Sequence, residues 1–131
     1  MVDLRRMRFL INRLPMARFR VEMAMARATK CTASLTGMPR GGVAGSQIES
    51  GAALLVDARA AYDAIKSELD SMREELSPII NALDRPLERT AMHMRYIEGR
   101  SVREIAYGIA YSEPHVFEVL RYAERKIAEK S

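Results

Sequence analysis

Apolar side chains recur near the start of the chain at Met7, Leu10, Leu14, Ala17, Val21, Ala24, Ala28 and Cys31. The steps alternate three and four, which lines these positions along one seam of an α-helix. Pro15 interrupts the seam and removes a backbone donor, so a kink is expected there. From Thr32 to Ser50 the rhythm stops, and Thr36, Gly37, Pro39, Gly41, Gly42 and Gly45 give this stretch the composition of a loop. A phosphate-binding loop would need a Gly-Lys-Ser/Thr ending, which is missing. The alternation resumes at Leu55, Ala58, Tyr62, Ile65, Leu69, Met72 and Leu76, with Asp57, Asp63, Glu68, Asp70, Glu74 and Glu75 on the outer face. Two such segments joined by a reversing loop predict an antiparallel, coiled-coil-like helical hairpin over residues 1–83. A two-helix hairpin buries little surface alone, so pairing with another copy is expected, a dimer first.

Ser77-Pro78 reads as an N-cap followed by proline at the first helical position, which predicts a short new helix there. Asp84-Arg85-Pro86 marks a further break, and residues 84–131 are expected to form a separate compact module. Within it, Gly99 stands where a helix end favours positive φ. Ser101-Val102-Arg103-Glu104 has the form of a capping box. Val102, Ile105, Ala106 and Ile109 supply one apolar face of a short helix. A turn around Ala110-Tyr111 leads to a second capping serine, Ser112, and Val116, Val119, Leu120, Ala123 and Ile127 form the stripe of a last helix. Three short helices, the last two joined by a tight turn, meet the physical requirements of a helix-turn-helix.

Composition fits an all-α protein: aromatic residues are 6% with no Trp, while straight-chain residues that keep their freedom in a helix abound. The net charge of +4 is unevenly spread. Residues 1–30 carry eight Lys/Arg against two acids, residues 31–86 five against eight, and residues 87–131 eight against seven. The basic start can meet phosphate, anionic lipid or the acidic second helix. Its scarcity of acids also resembles a transit peptide or membrane-surface helix, although the heptad seam explains the same residues more economically. Cys31 is the only cysteine, which excludes an intrachain disulfide and fits a reducing, cytoplasmic setting. No run of about 18 apolar residues is present to span a membrane. The acidic pairs Asp57/Asp63 and Glu74/Glu75 fall at solvated helical spacing, and His93 and His115 have no clustered carboxylates beside them. Neither an enzyme, nor a metal site, nor a cofactor is expected.

Arg95-Tyr96-Ile97-Glu98-Gly99, Ser101, Glu104-Ile105-Ala106, Tyr111-Ser112, Val116 and Ala123 together resemble sigma-70 region 4, over about 44 residues. Thr36-Gly37-Met38-Pro39-Arg40-Gly41-Gly42 and Ile80-Asn81-Ala82-Leu83-Asp84 extend the likeness to a family of small phage and prophage proteins of unassigned function. That family looks related to late-gene transcriptional regulators of the RinA and ArpU type. The chain departs from the pattern at Ala110, where glycine is usual, with its own glycine two residues earlier at Gly108. Alanine at positive φ costs about 1 kcal/mol. Pro114 restrains Glu113 from helical geometry, which predicts a last helix starting one residue late. Of Phe117, Glu118 and Arg121, at positions often basic in region 4, only Arg121 is basic.

The resemblance implies a DNA-binding transcription regulator whose last helix reads the major groove of double-stranded DNA. Arg103 and Ser112 would position on phosphates, Arg125 would add another such contact, and His115, Phe117, Glu118 and Arg121 would face bases. RNA polymerase is a further expected partner, because region 4 modules also bind protein. Two rivals stay open: a small terminase-like DNA-packaging subunit, and a protein-only interaction module that has lost DNA binding. A freestanding sigma factor is not expected, since residues 1–86 lack an aromatic-rich promoter-melting domain.

Overall fold

The computed structural model describes residues 2–37 and 43–130, with side chains described for residues 2–29 and 51–129. Its order is α1 (Leu4–Gly37), α2 (Val43–Asn81), α3 (Pro86–Met92) running into a π-helical turn (His93–Ile97), α4 (Val102–Ile109) and α5 (Glu113–Lys130). No strand occurs among the described residues, so the all-α class is observed. No described helix is long and apolar enough to cross a membrane.

Several boundaries differ from the sequence expectations. Helix α1 runs through Pro15 and on to Gly37, and α2 starts at Val43, so Thr32–Gly37 and Val43–Ser50 are helical instead of loop. Glycine and serine each lower helix propensity by about 1 kcal/mol or less, and Ala33, Leu35, Ala44 and Gln47 between them favour helix. Met38–Gly42, with most of the Thr36–Gly42 motif, lie outside the described residues. No new helix starts at Ser77-Pro78, because α2 continues through Pro78 to Asn81. The apolar stripe of Leu76, Ile80 and Leu83 is buried across that proline. At ~1.5–3 kcal/mol per buried side chain, it outweighs the ~3 kcal/mol cost of an interior proline.

The chain divides into two units, one joining Met1–Ile11 to Leu69–Ser131 and the other comprising Asn12–Glu68. The first is larger than a module of residues 84–131. Asp3 caps α1 by accepting the Arg6 amide at 3.0 Å. From that start, Met7, Leu10 and Ile11 enter a core shared with Leu69, Leu76, Ile80, Met92, Tyr96, Ile105, Val116 and Ala123. The seam residues at both outer ends of the long helices therefore belong to the core of this unit.

Tyr96 is the polar centre of that core. Arg8 Nη1 donates to the Tyr96 hydroxyl at 2.9 Å, and that hydroxyl donates to Glu124 Oε1 at 2.5 Å. Arg8 also lies 3.4 Å from Glu124 Oε2, closing a three-residue ring. Burial, reinforced by the bond to Glu124, pushes the Tyr96 phenol well above its ordinary pKa. Burial opposes the charge on Arg8, yet its contacts with Tyr96 and Glu124 prevail and raise its pKa. Within the basic opening segment, Arg8 thus meets the last helix. The π turn closes through Glu98 N–H to His93 C=O at 3.0 Å, and Arg73 Nε donates to the Tyr96 carbonyl at 2.8 Å, satisfying an acceptor left open at the helix end. Desolvation, partly offset by Asp70, lowers the Arg73 pKa.

In the second unit, Ala17 and Ala24 are buried, and Leu14, Val21 and Ala28 half-buried. Gly51 on α2 faces Ala28 closely enough that a Cβ placed on it would lie 3.6 Å from the Ala28 Cα. Small side chains thus let the two backbones approach. Leu55, Ala58, Tyr62 and Ile65 follow on α2, all half-buried.

Candidate nucleic-acid interface

The pair α4–α5 is built by local rules that the sequence states openly. Ser101 Oγ accepts the Glu104 amide at 3.2 Å, and its hydroxyl is 3.2 Å from Glu104 Oε1, so serine and glutamate meet at the cap. Ile105 and Ala106 then face the core. The helix ends at Ala110, held at φ 58° and ψ 41° in the left-handed region. The Tyr111 amide turns back to the Ala106 carbonyl at 3.0 Å, which is the longer bond of a Schellman end. Gly108 is not the turn residue: it sits inside α4, where a Cβ would come 3.1 Å from the Met94 methyl. A side chain there would need only the Met94 methyl, the end of a flexible side chain, to give by a few tenths of an ångström at an exposed position, and the turn itself is left to alanine. Because Ala110 is exposed, Ala110→Gly is expected to raise stability by about 1 kcal/mol. Chemical denaturation checks it, and an unchanged or lower midpoint would remove the strain argument.

Ser112 caps α5 by accepting the His115 amide at 3.3 Å, and Val116 N–H reaches the Ser112 carbonyl at 3.0 Å. Helix α5 starts at Glu113, correcting the expected late start. Pro114 occupies the first turn, where the amide it lacks would have had no partner in the helix. Val116, Leu120, Ala123 and Ile127 are buried at steps of four, three and four, and anchor the helix.

Steps of three and four also relate Glu118, Arg121 and Arg125, which are exposed opposite that stripe. Phe117 is exposed one turn from Arg121. Arg103 is exposed in the first turn of α4, and no described contact joins it to the α5 group. Among the described residues, Arg103, Arg121 and Arg125 have no ion pair, so their guanidinium groups are not committed internally. Lys126 differs, since it bonds both carboxylate oxygens of Glu88 at 3.1 and 3.2 Å.

His115 is half-buried rather than free: its ring stacks on Tyr111 with centroids 4.9 Å apart and planes 23° from parallel. The sequence marks Tyr111 as a turn residue and as part of the region 4 resemblance, and its spacing of four from His115 is the signal for a ring pair across a turn. Tyr107 on α4 is 91% exposed and was not singled out by pattern. His93 is exposed and its Nδ1 lies 3.4 Å from Glu98 Oε2. No group of three or more His, Cys, Asp or Glu side chains that could hold a metal ion occurs among the described residues. No protein-family model, curated protein or solved structure matches this chain.

Proposed function

We propose that the chain is a phage-type DNA-binding transcription regulator in which α4 and α5 act as a helix-turn-helix of the sigma region 4 kind. The observation that carries the reading is the outward face of α5, where Glu118, Arg121 and Arg125 stand exposed opposite a fully buried anchor. A helix held rigidly on one side with unpaired arginines on the other meets the needs of major-groove insertion. Arg121 is suited to the O6 and N7 of guanine, Glu118 to the N4 amino group of cytosine, and Phe117 to a thymine methyl. Ser112, Arg103 and Arg125 would hold phosphates, and the Tyr111 stack would fix the aim of His115.

Binding of the full chain to a mixed-sequence duplex, followed by fluorescence anisotropy across a salt series, tests this. Affinity is expected to fall steeply with salt, and Arg103→Ala and Arg125→Ala are each expected to flatten the logarithmic slope by about 1. Slopes unchanged in both variants would take these arginines off the phosphate backbone.

One observation favours a protein-only interaction module as the second reading. Helix α5 carries four acids against four basic residues, and Tyr107 on α4 is almost wholly exposed. Absence of duplex binding at low salt would select that reading. A terminase-like packaging subunit would instead show salt-steep binding without sequence preference.

A further inference from the structure

Helix α5 is held from two sides by directional contacts, and these bracket Arg125. Glu124, the residue before it, accepts the Tyr96 hydroxyl at 2.5 Å and lies 3.4 Å from Arg8. Lys126, the residue after it, donates to both Glu88 carboxylate oxygens at 3.1 and 3.2 Å. At about 100° per residue, Glu124 lies about 70° to one side of the buried stripe of Val116, Leu120, Ala123 and Ile127, and Lys126 about 90° to the other. Their partners come from different elements: α1 and the π turn hold Glu124, and α3 holds Lys126. All of them belong to the same compact unit.

The stripe alone leaves one motion weakly restrained. Apolar contact has no direction of its own, so it fixes the depth of a helix more firmly than its rotation about the axis. Beside the two clamps the stripe is Ala123, whose single methyl gives little to grip. A roll of α5 lifts one flank from the core and presses the other in, so whichever way it turns, one clamp lengthens. The ring on the Glu124 side has one hydrogen-bond order. Arg8 can only donate and a carboxylate can only accept, so the Tyr96 hydroxyl accepts from the first and donates to the second. Tyr96 has no exposed surface, and water does not compete for that hydroxyl.

We infer that the two clamps lock the roll of α5, which makes Arg8, Tyr96 and Glu88 positioning residues for the outward face of Arg121 and Arg125, an inference that rests on reading that face as one that meets DNA. A roll of about 20° carries a group about 6 Å from the helix axis sideways by about 2 Å. Recognition groups need to be held to within about 0.5 Å. A loosened roll therefore costs base discrimination first. Phosphate contacts, which long side chains make to a repeating backbone, suffer less.

The readout is the ratio of affinity for a selected site to affinity for a mixed-sequence duplex, measured on the full chain by fluorescence anisotropy. Tyr96→Phe keeps the ring in the core and deletes the shared hydroxyl. It is expected to lower the ratio by about tenfold or more, with mixed-sequence affinity changed by less than about twofold. Arg8→Lys keeps a donor and should hold the ratio within about threefold of the original. Glu88→Leu combined with Lys126→Met replaces the second clamp by an apolar pair without direction. Its stability to urea should stay near the original, while the ratio should again fall by about tenfold. A selected site bound at the original ratio by Tyr96→Phe or by the apolar pair would overturn the inference and leave the DNA reading standing. Equal losses on both duplexes would overturn it as well, since they mark a weakened fold. An unaltered chain with no selected site would overturn both.

Discussion

Deleting residues 2–11 is expected to abolish the cooperative folding of α3, α4 and α5. Val2, Met7, Leu10 and Ile11 are buried in the unit they share with the carboxy-terminal helices, and Met7 has no exposed surface. Four such side chains at ~1.5–3 kcal/mol each represent roughly 6–12 kcal/mol, an upper figure because an unfolded chain already buries part of this surface. A whole domain is stable by only about 5–15 kcal/mol. The deletion also removes Arg8, leaving Tyr96 and Glu124 without their cation in the core. Amide hydrogen exchange resolves the outcome by segment. Protection across α4 and α5 should collapse in the deleted chain, while Leu10→Ala alone should lower it by about 2–5 kcal/mol. Undiminished protection would mean that residues 84–131 fold by themselves, as the break at Asp84 suggests when read alone.

Lys126→Met is the second large effect, with an expected destabilisation of about 3 kcal/mol. Glu88 is 3% exposed and Lys126 is its described ion-pair partner. Removing that partner strands a carboxylate away from water, which typically costs about 3–5 kcal/mol. Lys126 itself is a quarter exposed, so solvent reaching the site keeps the loss at the low end. It also lies 4.5 Å from the Tyr122 ring centroid, a contact that methionine keeps in part through its sulfur. Replacing both partners, Glu88→Leu with Lys126→Met, should recover most of the loss, since a buried ion pair and an apolar pair of similar volume are often nearly equal in stability. Urea denaturation of the two singles and the double gives the coupling. Additive losses would show that the pair is not the reason Glu88 tolerates burial.

What the sequence reveals well is what neighbours in sequence decide. Ser101 and Ser112 cap helices because the amides they accept lie three residues away, and Gly99 takes φ 72° at a helix end. The exposed file on α5 follows from the same helical period that predicts its buried stripe. Partner choice is less legible. A three-four seam shows that Met7 and Leu10 are buried but not against what, and the structure distributes one seam between two units. Pro78 does not start the helix that its local context suggests, for a related reason: it removes one donor, a local penalty that a long helix with a continuous buried stripe overrides. Gly108 is legible as unusual, but its one close neighbour, the Met94 methyl, comes from earlier in the chain and is not visible in local sequence.

Selection of bound sequences from a random double-stranded library, run in parallel with the unaltered chain and with Arg121→Ala, tests the proposed DNA reading most directly. An enriched motif is expected for the unaltered chain. Arg121→Ala should lose preference at one guanine and bind the selected site about 10- to 100-fold more weakly, the equivalent of ~1–3 kcal/mol. Recovery of no motif, or of the same motif at the same affinity by both proteins, would contradict it.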